Sequence, residues 1–138
     1  MIIFDTGPLV AAAIATDRWH ARSVQLLHDC HNRGEDIGIP STVVAEVGYM
    51  IGRVDHETEA EFLSSLATDA FQVLDLEPAD YSRCSELVLQ YGDLPLGTTD
   101  ASVVALAERH NVTRVATIDH RHFQVVRPNH LDYFELLP

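Results

Sequence analysis

An α/β sandwich built on a mainly parallel sheet is the fold class that this sequence predicts, and three observations predict it. Short apolar runs of strand length recur along the chain with helix-patterned segments between them, so the strands are joined by crossovers long enough to keep neighbours parallel. The first run, Ile2-Ile3-Phe4, is apolar at every position, as a strand covered on both faces must be. Two of the runs stop at an aspartate, Asp5 and Asp119, and the carboxyl ends of parallel strands are where such folds gather chemistry.

The elements follow in order. After Asp5, Thr6-Gly7-Pro8 reads as a turn into a short apolar helix, Leu9 to Ile14; Pro8 is tolerated in a first helical turn. Thr16-Asp17 interrupts the pattern, and Trp19 to Asn32 carries Val24, Leu26, Leu27 and Cys30 at helical spacing until Gly34. Trp19 is expected in the core, with a place in a partner interface as its other reading. Ile37 to Ile39 is a strand, and Pro40-Ser-Thr opens a helix whose apolar stripe is Val43, Val47, Met50 and Val54, with Glu46 on its flank as a hidden acid. Asp55 starts a further amphipathic helix with Phe62, Leu63 and Leu66 facing inward. Phe71 to Leu76 is a strand, Glu77-Pro78 leads into a helix from Ala79 to Gln90, and residues 91–97 form a loop. Threonines then suit the N-cap of a helix running to Asn111. A strand from Arg114 to Ile118 ends at Asp119, Arg127-Pro128-Asn129 turns, and Tyr133 to Leu136 is the last strand.

Composition narrows the classes. The 138 residues form one domain, 1–138, long enough to bury a core without disulfides or a structural metal. Cys30 and Cys84 stand far apart in separate helices and read as packing residues. No apolar run approaches the roughly 18 residues of a membrane span, and the N-terminus has no basic region ahead of its apolar residues, which predicts a cytoplasmic protein. A formal charge of −12 opposes any general grip on nucleic acid through its phosphates. Every basic residue is arginine, so P-loop and Schiff-base lysine chemistry is excluded.

What remains is carboxylate chemistry. At about 100° per residue, Asp100 shares a helical face with Val103, Val104 and Ala107, which turns its carboxylate toward the core side. If the strands ending at Asp5 and Asp119 are neighbours, Asp5, Glu46, Asp100 and Asp119 approach one another. Carboxylates so placed either raise one another's pKa or hold cations, and an all-oxygen set suits Mg²⁺ or Mn²⁺, the ions of phosphodiester hydrolysis. Singly, each acid has an ordinary reading as a turn, cap or amphipathic-edge residue. Four together, with Thr6 and Thr117 beside two of them, form a pattern. Asp93, a loop acid, reads as structural or as support for that site. Arg121 and Arg127 are the candidates for phosphate contact, while His120 and His122 read as surface residues.

These residues carry a resemblance. The Asp5-Thr6-Gly7 start after an apolar strand, the helical Glu46, Leu94-Pro95-Leu96 before Thr99-Asp100-Ala101, and Thr117-x-Asp119-x-x-x-Phe123 together resemble a PIN domain, and more narrowly the VapC toxins of bacterial toxin–antitoxin pairs. The resemblance implies a three-layer α/β/α sandwich with a five-stranded sheet and a Mg²⁺- or Mn²⁺-dependent endoribonuclease acting on RNA. It implies Asp5, Glu46, Asp100 and Asp119 as the acidic residues, with Asp5 and Asp100 the usual metal ligands, Asp119 joining them, and Thr6, Thr117 and Asp93 in support. It also implies a VapB-type antitoxin partner and pairing of the toxin with itself. Two other readings stay open. A haloacid-dehalogenase-like phosphatase also begins with a strand-end aspartate, but it needs a second aspartate two residues on, where Gly7 stands, and a later lysine. An acidic, non-catalytic module binding a basic partner explains the charge, but not the four acids.

Overall fold

The computed structural model describes residues 1–138 and contains five short strands and seven helices. The strands are β1 (Ile2–Phe4), β2 (Ile37–Pro40), β3 (Gln72–Leu74), β4 (Arg114–Ala116) and β5 (Glu135–Leu137). All neighbours are parallel, in the order β3-β2-β1-β4-β5. Successive residues of a strand face opposite sides of a sheet, and Ile2, Ile3 and Phe4 are all buried, so helices cover β1 on both faces. The chain winds outward from β1 through β2 to β3, then returns to the other side of β1 for β4 and β5. The reversal falls between β1 and β4, which puts the ends of these two strands beside the crevice that such a switch creates.

The helices are α1 (Thr6–Ala13), α2 (His20–Asn32), α3 (Ser41–Gly52), α4 (His56–Ser65), α5 (Pro78–Gln90), α6 (Thr98–Arg109) and α7 (His120–Val125). Most match the periodicity of the sequence. Helix α6 is the most buried, with every residue from Ala101 to Ala107 inside, and it packs against α5, α3, β1 and β2. Cys30 and Cys84 are free and buried, as packing residues should be.

Several expectations need correction. Helix α1 begins immediately after Asp5 with no intervening turn, because Thr6, Gly7 and Pro8 are all compatible with a first helical turn. The inward stripe of α3 is Val43, Val47 and Ile51; Met50 is exposed, and so is Val54, which lies beyond the helix end at Gly52. Glu46 is exposed, one position off that stripe, rather than hidden. In α4 no residue is buried, and Leu63 faces water. Trp19 is only partly covered. The last strand starts at Glu135 because Tyr133 stays outside, 70% exposed. Helix α7 has no counterpart in the sequence reading: β4 ends at Ala116, and Asp119 caps a six-residue helix.

Charged groups tie the outer helices together. Glu108 of α6 accepts from Arg83 Nε of α5 at 2.9 Å and from a second guanidinium nitrogen at 3.0 Å, and also from the Asn129 backbone N–H at 2.9 Å. With side chains only 17% and 12% exposed, this fork is largely shielded from water. Glu108→Ala removes the forked partner of Arg83, which keeps Glu86, and leaves the Asn129 N–H without an acceptor, and a loss of about 2 kcal/mol is expected. Urea denaturation measures it; a loss below about 1 kcal/mol means that water replaces the carboxylate.

Candidate active site

Asp5 closes β1 and is 7% exposed. Its backbone N–H donates to the Ala116 carbonyl of β4 at 2.9 Å, so the ladder between the two strands runs up to the residue itself. Thr117, fully buried just past β4, donates its hydroxyl to Asp5 Oδ2 at 2.8 Å and accepts from the Asp119 N–H at 3.2 Å. One hydroxyl therefore fixes the first acid and the loop of the last. Burial, above all, pushes the Asp5 carboxyl up to about 6; the Thr117 and Thr6 hydrogen bonds oppose this, and the charges of Asp100 and Glu46 add to it.

The other acids stand around this point, each with a local partner. Asp100 is the third residue of α6 and accepts from the Gly97 N–H at 3.0 Å, half of a capping arrangement. The same oxygen lies 3.2 Å from His122 Nδ1. Glu46, although exposed, accepts from the buried hydroxyl of Thr6. Asp119 accepts from the backbone N–H of Arg121 at 3.3 Å and pairs with its guanidinium at 3.4 Å. Burial raises the Asp119 carboxyl, but the Arg121 bond and the charges of His122 and Arg121 outweigh it and hold the group below the ordinary carboxylate range.

Gly7 sets how closely α1 approaches the Asp119 loop. A Cβ there would collide with the Ile118 side chain, so only glycine lets the helix start sit against the residue before Asp119.

The convergence of the four acids is partial. Asp100 and Glu46 are close enough for their charges to act on Asp5, yet no three histidine, cysteine or carboxylate side chains meet tightly enough to share an ion as they stand. The donor chemistry nonetheless fits a hard divalent cation. The carboxylates supply oxygen only, and the buried Asp5 lies in the field of two other anions that a cation would offset.

A PIN-domain family model matches residues 2–128. The chain belongs to the PIN-domain family. It is 31% identical over 139 aligned residues, covering 99% of this chain and 100% of the relative, to ribonuclease VapC26 of Mycobacterium tuberculosis. Solved structures share the fold. The toxin VapC20 of Mycobacterium tuberculosis, described as cleaving the sarcin–ricin loop, superposes with a TM-score of 0.82 at 13% identity, each chain covered in full. VapBC2 of Rickettsia felis, bound to promoter DNA, gives 0.72 at 20% identity with the same full coverage.

This PIN domain holds the remaining predicted residues unequally. Asp93 is exposed in the loop after α5, and Arg127 folds its guanidinium onto the carbonyls of Gln124, Val125 and Val126. His122 and His120 are only partly exposed. The side chain of His122 is 16% exposed, its Nδ1 is buried without a hydrogen bond, and it lies between Asp100 and Asp119, 3.9 Å from the latter. His120 Nε2 meets the Thr117 carbonyl at 3.1 Å. The missing signal was Phe123, fully buried, which marks a helix turning its inward side toward the acids where an extended tail would face water.

Proposed function

We propose that this PIN domain is a metal-dependent endoribonuclease and the toxin of a toxin–antitoxin pair, with Asp5, Glu46, Asp100 and Asp119 as its catalytic acids. The observation that carries the reading is Asp5: a buried carboxylate at the switch point, in the field of Asp100 and Glu46, in a chain similar along its whole length to a ribonuclease. RNA phosphodiester hydrolysis is the reaction.

Asp5, Asp100 and Asp119 are the residues that would hold Mg²⁺ or Mn²⁺, and Glu46 stands beside them as a further acid. A divalent cation bound there would supply Lewis-acid charge to a phosphate oxygen and a bound water that gives up its proton more readily than bulk water. The protein's own groups set the geometry. Thr117 orients Asp5 through Oδ2, Thr6 orients Glu46, and the Gly97 N–H fixes Asp100. Arg121, 84% exposed and using one nitrogen on Asp119, keeps the rest of its fork for an RNA phosphate. Arg127, already committed to carbonyls, contributes less, and Asp93 supports the rim.

The partner in this reading is a VapB-type antitoxin, by analogy with the VapBC2 complex from Rickettsia felis. The chain is also read as one cytoplasmic domain that pairs with itself, and no helix is long and apolar enough to cross a membrane. The expected result is that purified protein cleaves RNA with Mg²⁺ or Mn²⁺ and stops in EDTA, while Mn²⁺ without RNA raises the thermal midpoint. Cleavage by pure protein that persists in EDTA overturns the metal assignment.

A further inference from the structure

A chain of charge −12 must meet RNA through a few local cations, and the structure shows which are free to do so. Of the nine arginines, Arg83, Arg109 and Arg114 are paired with carboxylates, and Arg121, held to Asp119 through one nitrogen, is the one already assigned to the site. Arg127 is folded onto backbone carbonyls, and Arg53 onto the Tyr49 hydroxyl. The side chains of Arg18, Arg22 and Arg33 make no hydrogen bond or ion pair, and all three residues are exposed.

Two of these three are held by one aromatic ring. The guanidinium carbons of Arg18 and Arg22 lie 5.8 Å and 5.3 Å from the centroid of Trp19. Contact with an indole face fixes a guanidinium without using any of its N–H donors, so both forks stay available while their rotamer freedom is already reduced. The carboxylate nearest in sequence, Asp17, is engaged through Oδ1 by the Trp19 N–H at 2.7 Å. Trp19 itself is anchored, since its carbonyl accepts from the Ser23 N–H and the next residue, His20, meets the Ala11 carbonyl through Nδ1 at 2.9 Å.

One end of the cleft beside the cluster reaches the edge of the sheet that carries the acids. Arg22 lines this cleft, which runs from the amino ends of the strands at Ile2, Arg114 and Glu135 to Leu137 and Pro138 at the end of β5, with Asp29 and Glu35 also on its wall. The Leu137 carbonyl accepts from the Thr117 N–H at 2.8 Å, and Thr117 is the residue that holds Asp5. From the other side, Ala11, which His20 contacts, stands five residues along α1 from Thr6, about 8 Å of helix rise.

We infer that Arg18, Trp19 and Arg22 form a phosphate clamp that grips the RNA backbone beside the cleavage site, the indole holding two guanidinium forks ready for phosphate oxygens. The inference rests on the ribonuclease reading of the acids, and it supplies the local positive charge that the net charge lacks. Phosphate contact releases counterions, so each one contributes about 0.7 to the slope of log affinity against log salt for single-stranded nucleic acid.

The test measures binding of a fluorescent single-stranded RNA to full-length protein carrying Asp5→Asn, which prevents turnover, between 50 and 200 mM salt as a rough window. Adding Arg18→Ala with Arg22→Ala is expected to lower affinity by about tenfold or more and to reduce the slope by about 1.4, two phosphates' worth. Arg33→Ala with Arg53→Ala removes equal charge and is expected to leave both within experimental error. Trp19→Ala, which removes no charge, is expected to weaken binding as well, and Trp19→Phe to restore most of it. An unchanged slope in the Arg18/Arg22 variant, or an equal loss in the charge-matched control, overturns the clamp, as does Trp19→Ala binding like its parent. Wild-type cleavage assayed in parallel separates the two readings: cleavage with an unchanged slope removes the clamp and leaves the ribonuclease, whereas the expected slope without cleavage does the reverse.

Discussion

Asp5→Asn is expected to abolish RNA cleavage and at the same time to make the metal-free protein more stable at neutral pH. Both effects come from one buried carboxylate. In the folded chain its pKa is raised from 3.8 to about 6, with burial the largest cause. Well below pH 3.8 the group is protonated whether or not the chain is folded, and the native state carries no penalty. As pH rises toward 6 the unfolded chain releases this proton and the folded chain keeps it, so native stability falls, and above about 6 the penalty is complete. A shift of about two units corresponds to roughly 3 kcal/mol, or on the order of 10 °C in the thermal midpoint of a chain this size. Asparagine carries no charge to desolvate, and its carbonyl can still accept from Thr117. The midpoints of the two proteins in EDTA should therefore separate between pH 4 and 6 and stay apart above it. A destabilised Asp5→Asn protein at pH 7.5, or one that still cleaves RNA, shows that Asp5 is a structural acid.

Phe123→Ala is expected to cost about 3–5 kcal/mol and to remove activity beyond what unfolding explains. The ring is completely buried and meets Phe134 edge-to-face with centroids 6.4 Å apart. It is the buried residue of α7, a helix too short to persist without such an anchor. The same helix carries Asp119 at its cap and His122 against Asp100, so loosening it displaces two groups of the site together. Val125→Ala, on the exposed side of α7, serves as the control and should leave stability within about 0.5 kcal/mol. Urea denaturation and cleavage at a temperature where both variants are folded measure the two effects. A Phe123→Ala protein with near-normal cleavage while folded means that α7 does not position the acids.

How much of this was readable before folding depends on the range of each interaction. The strands and the first six helices follow from local periodicity, and the all-apolar Ile2-Ile3-Phe4 already announced a strand covered on both sides. The four acids could be picked out because each sits where an element begins or ends, or one place off an apolar stripe. Their surroundings could not. Glu46 reads as hidden on a helical wheel, yet it is exposed and meets only the Thr6 hydroxyl, a contact across 40 residues. His122 reads as a surface residue until the burial of Phe123 winds the chain after Asp119 into a helix.

The amino-acid sequence by itself determined the α/β class, the positions of the strand-end acids and the absence of lysine chemistry, because these depend on neighbours within a few residues. Tertiary structure alone decided that β1 and β4 lie side by side at the switch point and that Thr117 bonds to Asp5, a partner 112 residues away. It also decided that Trp19 is a holder of two arginines where a core residue was expected. The physical reason is that strand order and side-chain pairing are settled by long-range burial, which sums over the whole chain, while periodicity reports only which face of each element is apolar.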